Sequence, residues 1–387
     1  MSVAIGTGMS VGGTTREAAC SAAMAARAEL GDAHADLVIV FATGEHLGAP
    51  ELVLEGVHEA LNPRWLVGCG AGGVVGGRRE IESGTAVSVW AADLDGGQAV
   101  PFVAEATEQE EGIAVAGIPE LAGAAGAILL PDPFSFPTEL ILGELARRAP
   151  GVPILGGVAS GEAPDGGAVL FHDFDVVRTG AVGLRLDGVE LLPCVSQGAT
   201  PIGPELTVTA AEGPLIAELA GQPALRKLRE VILDLPAGER ELLSRGLLLG
   251  LVIDGGKPEY VHGDFLVRGL TGADPDEGSI AVSAGVRAGQ VVRLHARDAD
   301  SADSDLREAL ELRRTALGGK PAAGALVFTC NGRGRGMFGH PDHDAETIGD
   351  ELDDVPAAGF FAAGEIGPVG GESFLHSFTA TLAVFPA

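Results

Sequence analysis

The chain has 387 residues, and 54 acidic against 25 basic side chains give it a formal net charge of -29. Such a surface repels phosphate backbones and anionic headgroups, which argues against nucleic acid or a membrane surface as a partner. Hydrophobic residues make up 46% and aromatics 4%, so two domains' worth of core is expected, built mainly from Ala, Val, Leu and Ile.

No secretory signal is read at the start, and no apolar run approaches the roughly 20 residues of a membrane helix. Cys20, Cys69, Cys194 and Cys330 are far apart without C-x-x-C spacing. Neither a cysteine zinc site nor a disulfide framework is expected, and reduced thiols in a cytoplasmic protein without cofactor fit best.

The first helix starts at Thr14, which has capping-box spacing to Glu17, and closes at Gly31. Asp36–Ala42 is a continuous apolar run that predicts a buried strand. Pro50 opens a helix that ends at Asn62-Pro63. Trp65–Val67 is a strand running into the glycine-rich stretch 68–77, and Thr85–Trp90 alternates as another.

The same order returns with a strand at 124–130, a helix from Phe136 to Arg148, Pro153–Leu155, the glycine turn 156–161 and a strand at 180–186. It returns again with a strand at 324–329, a helix at 345–352 with Asp344 as its N-cap, Ala357–Ala362, the turn 364–367 and a strand at 378–385. One unit of strand, helix, strand, glycine turn and strand therefore appears three times. The expected fold class is α/β (mixed α+β), with these repeated units forming mixed sheets covered by helices in two domains. Between the second and third copies, 214–245 reads as two or three helices, Leu247–Ile253 as a strand, and Ser301 as the cap of a helix ending at Gly318-Gly319. The domain boundary is placed near Gly221.

Gly68-x-Gly70-x-x-Gly73 matches the dinucleotide fingerprint in letters. A strand rather than a helix follows it, so no helix N-terminus is there to hold a pyrophosphate. No Walker loop, G-x-S-x-G elbow or H-E-x-x-H helix is present. Ser160 reads first as a turn residue. His340, Asp342 and His343 form a weak alternative metal site, against the commoner reading of a polar loop feeding a helix cap.

Cys330-Asn-Gly-Arg-Gly-Arg-Gly336 carries the most chemistry. It leaves a buried strand, so its side chains emerge at a strand end. Arg333 and Arg335 are expected to favour a Cys330 thiolate, and an arginine fork fits a carboxylate. With Glu365 on a neighbouring turn, and Glu372 and His376 after it, the pocket suits a zwitterion. The alternative is an Arg333–Glu365 bridge that braces the loops.

These residues carry a resemblance. Cys330–Gly334, Val355-Pro-Ala-Ala-Gly-Phe-Phe361, Gly364-Glu-Ile-Gly-Pro368 and Phe374-Leu-His-Ser-Phe-Thr379 resemble the C-terminal domain of the FIST family, as do Phe265–Leu270 and Val292–Asp298. Val67–Gly73, Gly156–Gly161 and Gly203–Thr209 resemble its N-terminal domain. The resemblance implies a FIST N-terminal-like domain over 1–221 and a FIST C-terminal-like domain over 222–387. It implies a sensory module that binds a small metabolite such as an amino acid. No kinase, cyclase, methyl-accepting or F-box segment is read in the chain, so output is expected to pass through a downstream signalling partner. The candidate ligand-binding set is Cys330, Asn331, Arg333, Arg335, Glu365, Glu372 and His376, with Gly156 and Ser160 from the second turn. The alternatives are an enzyme with Cys330 as nucleophile and a protein-interaction scaffold.

Overall fold

The computed structural model describes residues 3–109, 112–163, 166–253, 255–257, 260 and 263–387. It has two compact units, Met1–Ser196 with Leu306–Ala387, and Gln197–Asp305. The boundary expected at Gly221 falls inside the second unit, in the turn between the strands Leu215–Leu219 and Gln222–Pro223.

Among the described residues, the first unit holds three mixed sheets, one for each copy of the repeat. Each copy supplies an outer strand (in copy two followed by the edge strand Gly112–Ala116), a parallel strand pair joined by a helix, a short hairpin and a closing antiparallel strand. In copy one these are Ala4–Val11, Leu37–Thr43 with Trp65–Ala71 across the helix Pro50–Leu61, the hairpin Val74–Gly76/Arg79–Ile81, and Ala86–Asp93. Copy two uses Gln98–Gln109, Gly126–Pro131 with Ile154–Gly157 across the helix Thr138–Arg148, the hairpin Leu170–His172/Asp175–Val177, and Ala181–Asp187. Copy three uses Leu192–Ser196, Ala322–Cys330 with Ala357–Ala362 across the helix His343–Glu351, the hairpin Glu365–Val369/Glu372–His376, and Ala380–Pro386. The second unit interrupts copy three after its first strand.

The hairpins do not stay in their own sheets. Copy one's hairpin pairs with Ala357–Ala362 of copy three. Copy two's pairs with Trp65–Ala71 of copy one, and copy three's pairs with Ile154–Gly157 of copy two. The exchange is cyclic and ties the three sheets into a closed set.

Strand alternation then fixes the layers. Leu37, Ile39 and Phe41, Ile128 and Leu130, and Leu326 and Phe328 share one central core. Phe360 bridges copies there, with Phe41 stacked 4.9 Å away and Phe328 edge-on at 5.9 Å. The intervening residues face outward onto helices. Val38 and Val40 meet Ala22, Ala26, Val53 and Val57. Ala127 and Leu129 meet Ile141 and Leu145. Ala325 and Val327 meet Leu306, Leu310 and Ile348. Strands buried on both faces read as the continuous apolar runs seen in the sequence.

The expected helices from Thr14 and Pro50 form as Thr15–Leu30 and Pro50–Leu61, closed by Gly31 (φ 70°) and Asn62 (φ 45°). Thr14 Oγ1 donates to Glu17 at 2.6 Å. The 68–77 stretch is strand, a turn at Gly72-Gly73 and a strand again, so no helix follows the fingerprint.

In the second unit, Thr200–Glu212, Val291–Ala296, Leu247–Val252, Phe265–Asp274, Ser279–Val282 and Leu215–Leu219 pair antiparallel in that order. The last also pairs with the first, closing a small barrel. Ala224–Asp234 and Ala237–Arg245 are the helices expected in 214–245. The segment before them is a strand, because Ile216 and Leu219, which have helical spacing, are buried by ladders on both sides.

Each parallel pair contains one glycine at the same register point. Gly68 faces Val40, Gly156 faces Leu129 and Gly359 faces Val327. A Cβ at any of them would lie 1.9 Å from the facing carbonyl oxygen. Gly359→Ala should therefore lower unfolding stability by about 2–3 kcal/mol or more through forced strand separation. Gly336→Ala, where a Cβ meets nothing within 4 Å, should stay within about 0.5 kcal/mol. Denaturant midpoints of the two variants check this.

Candidate functional site

The glycine register locates what is unusual in copy three. Three residues beyond Val40, Leu129 and Val327 stand Thr43, Asp132 and Cys330. The residues after the three glycines are Cys69, Gly157 and Phe360, and they face Leu170, Glu365 and Val74 of the exchanged hairpins. Leu170 and Val74 are fully buried apolar side chains, and Glu365 is 0% exposed at the matching place. The repeat therefore asks for an aliphatic residue where copy three has a carboxylate.

The partners differ as well. Thr43 donates to the Gly84 carbonyl, and Asp132 accepts from the Phe134 and Ser135 amides, so both brace local turns. Cys330 Sγ instead accepts the Gly332 amide at 3.3 Å and the Phe378 amide, and lies within hydrogen-bond reach of the Glu365 carboxyl. Glu365 Oε2 accepts the Thr379 amide at 3.0 Å, while Oε1 receives no N–H or O–H donor. Unsatisfied buried oxygens are uncommon, and they cluster where a protein binds or reacts.

Burial pushes Glu365 up to about 8, against the pull of the Thr379 amide, the thiol and the Arg333 charge. Burial and the neighbouring Glu365 charge push the Cys330 thiol up to about 12. The expectation that arginines would favour its thiolate is corrected by where they sit. Arg335 is exposed on the short helix Arg335–Phe338 and meets Glu82 through its backbone amide. Arg333 is buried and forks onto Asp344, with Nε at 2.7 Å and Nη2 at 2.8 Å.

That fork also settles the bracing partner. Asp344, not Glu365, takes the guanidinium, and Thr329 (2.7 Å) and His343 (2.9 Å) complete its shell. Burial alone would raise Asp344, but Arg333 and these bonds outweigh it and hold Asp344 well below the usual carboxylate range. The expected N-cap at Asp344 is displaced: Asp342 stands at the N-cap position without a side-chain cap bond, and Asp344 sits in the first turn. Copy one's hairpin closes the network. Glu80 Oε1 accepts the Ala345 amide at 3.0 Å, and its own amide donates to Asp342 at 2.6 Å. Burial, then the Asp344 charge, push Glu80 up to about 8.

Asn331 and Gly332 are exposed beside Cys330. Ser160 is half-buried, donates to the Phe361 carbonyl and accepts the Gly72 amide at 2.9 Å. A Cβ on Gly72 would meet both Asn331 and Ser160 within 3.7 Å. Turns from all three copies thus converge beside Cys330. His376 lies opposite Glu365 in the hairpin, its Nε2 2.9 Å from the Gly367 carbonyl.

Two expected residues stand apart from this cluster, and one expected turn is a strand. Glu372 is exposed at the far end of the hairpin, opposite Val369. Gly156 serves the strand approach described above. Glu365 to Gly367, expected as a turn, is strand; the reversal comes at Gly370-Gly371. Of the alternative metal ligands, Asp342 faces the Glu80 amide, His343 faces Asp344 and His340 is exposed. No group of three His, Cys, Asp or Glu side chains among the described residues is placed to hold a metal. In the sequence Asp344 reads as a helix cap within a polar loop that offers an alternative metal site, and Phe378 and Thr379 only as part of a family-like motif; Glu80 is not read at all, and comparing the three copies in register is the signal that places them together.

The FIST N domain family model matches residues 36–222, and the FIST C domain model matches residues 224–368. The chain belongs to the FIST family. An uncharacterized protein of Mycobacterium tuberculosis (strain H37Rv) is 44% identical over 382 residues, covering 98% of this chain and 99% of the relative. One of Mycobacterium bovis is 44% identical over 382 residues, covering 98% of each. The two FIST matches meet inside the second compact unit, so the family division and the division by packing do not coincide.

Glu365 and Glu80, raised in the folded state, bind protons more tightly there than in the unfolded chain. Their contribution is complete below about pH 4 and is lost as pH rises through about 8. Asp344, depressed, contributes above the ordinary carboxylate range and loses its contribution in acid. Urea midpoints should therefore fall between pH 6 and 9.5, and Glu365→Gln should flatten that fall. Breaking the buried pair with Arg333→Ala should cost about 3–5 kcal/mol at pH 6.

Proposed function

We propose that this FIST protein is a small-ligand sensor of the signalling kind. The ligand, a small metabolite such as an amino acid, binds at the mouth formed by Asn331, Gly332, Ser160, Cys330 and Glu365, and a protein partner in the cytoplasm reads the bound state. The observation that carries this reading is Glu365 Oε1, a buried oxygen without an N–H or O–H donor at a position where the other copies are aliphatic. An ammonium or amide of a ligand would satisfy it. Membership of a family associated with small-ligand sensing supports the same reading.

The structure changes how a carboxylate would be held. The Arg333 fork belongs to Asp344, so the exposed Asn331 side-chain amide takes that part. Arg333 then orders the loop rather than touching the ligand. No helix among the described residues is long and apolar enough to cross a membrane, and the charge of -29 favours a small ligand over a polyanion.

A thermal-shift panel of amino acids and related metabolites tests the proposal, because a ligand that binds only the folded state raises the melting temperature. At about 100 times its Kd, one ligand should stabilise by about 2.7 kcal/mol. Asn331→Ala and Glu365→Gln should each lose most of the shift, and Glu372→Ala should keep it. No shift with any amino or carboxylate compound at tens of millimolar would contradict it.

A further inference from the structure

We infer that the larger unit carries a second small-molecule site, in which a guanine-type heterocycle lies on Trp65 and is met by the carboxylates of Asp36 and Asp173. Asp36 precedes and Trp65 opens the parallel strands of copy one, whereas Cys330 closes the corresponding strand of copy three. The site is therefore separate from the Asn331 loop and stands whether or not a metabolite binds there.

A cleft of about 540 Å³ opens at these strand starts, within the size range of small-molecule sites. Asp36, Arg64, Trp65, Gln98, His172 and Asp173 line it. Trp65 stands opposite Leu37, and its side chain packs on the rim of the central core. His172 stands opposite Val67, two residues along from Trp65, so imidazole and indole share one face of the sheet. The hairpin exchange creates this meeting, since it carries His172 and Asp173 from copy two to the strand of Trp65.

Trp65 supplies a platform. It is half-buried, and the Arg64 guanidinium lies over the ring, 5.6 Å from its centroid. That face therefore takes a flat, delocalised group, and an aromatic side chain stacks a base in the same way. Arg64 is exposed, and a guanidinium stacks on a base as it does on an indole, so it closes over the outer face of a bound ring.

Two carboxylates are fixed to the backbone around this platform. The Asp36 carbonyl accepts the Trp65 amide at 3.1 Å, and Asp36 Oδ2 accepts the Leu94 amide at 3.1 Å. Asp173 Oδ1 accepts the Leu66 amide at 3.0 Å, and the Asp173 amide donates to the Leu66 carbonyl at 2.8 Å. Each carboxylate keeps a second oxygen for a ligand; the exposed His34 ring lies 3.9 Å from Asp36 Oδ1. An ionised carboxylate only accepts, so the ligand edge must donate. Guanine has a ring N–H and an amino group side by side, and the exposed Gln98 amide can donate to its carbonyl. Adenine sets a lone pair beside its amino group. The field of a chain with net charge -29 opposes a phosphate on the ligand, so the base or nucleoside fits and the nucleotide does not.

Tryptophan emission of the full-length protein is followed as guanosine is added. The chain has two tryptophans, and Trp90 is 0% exposed, so quenching reports Trp65. It should saturate with a Kd at or below about 1 mM, and Trp65→Phe should abolish it. Adenosine should bind at least about tenfold more weakly, as should guanosine 5′-monophosphate at low salt. Asp173→Asn keeps an oxygen for the Leu66 amide and tolerates the left-handed backbone at φ 52°; calorimetry should find guanosine at least about tenfold weaker there. If that variant does not fold, Asp36→Asn replaces it, and if neither folds, the order of the three ligands decides. No saturation with guanosine, quenching that survives Trp65→Phe, equal affinity for adenosine, tighter binding of the monophosphate, or wild-type affinity in folded Asp173→Asn would overturn the inference. Amino-acid thermal shifts read the Asn331 loop separately, so failure of one reading leaves the other standing.

Discussion

Three short hairpins hold the larger unit together. Each is made by one copy of the repeat and completed in the sheet of another, so no sheet finishes its ladder alone. The parallel strands beside them approach so closely that glycine is required at Gly68, Gly156 and Gly359. Given that closure, the alternating aliphatic residues of every copy have only one place to go, a common core inside and a helix layer outside. The exchange also brings groups from distant parts of the chain to one end of copy three. Glu80 and Glu82, on or beside the hairpin of copy one, reach the helix and loop that follow Cys330.

A frame this repetitive makes its own exceptions conspicuous. Sequences break local rules mainly where function requires it, and the sharpest break here is Glu365. Burial raises its affinity for a proton to about 8, a cost that an aliphatic residue would not carry. The Arg333–Asp344 pair is a different kind of buried charge. It has a bidentate fork and two further donors on the carboxylate, and it braces the loop that presents Asn331 and Gly332. The Asp344 carboxylate is held on every side; the Glu365 carboxyl has one oxygen, Oε1, without a partner.

Much of the frame was legible in the residues. The glycine turns and apolar runs announced three copies, because each parallel pair needs a glycine and each two-faced strand needs an unbroken run. The exchange was not legible, since nothing in Val74–Gly76 or Leu170–His172 says which sheet will receive it. That gap explains the misplaced arginine. Arg333 and Glu365 looked like partners because both emerge near strand ends, while Asp344 looked like a cap because it opens a helical pattern. Asp342, with a left-handed backbone (φ 65°), holds the N-cap position instead, and Asp344 falls in the first turn, buried against Arg333. The cluster from Cys330 to His376 was visible as chemistry, but the register that divides it into bracing and available groups exists only in the folded sheets.

The central claim is that Glu365 serves function at the expense of the core. Glu365→Leu, which restores the aliphatic side chain of the other copies, tests it most directly when unfolding is measured at pH 9. Removing an ionised carboxylate held at about 8 should return on the order of 4 kcal/mol, against about 1–3 kcal/mol for leaving the Thr379 amide without its acceptor. The variant should therefore be at least as stable as the natural protein at pH 9. It should also have lost ligand-dependent stabilisation. A variant several kcal/mol less stable at that pH would show that Glu365 is part of what holds the three copies together, and would contradict the account.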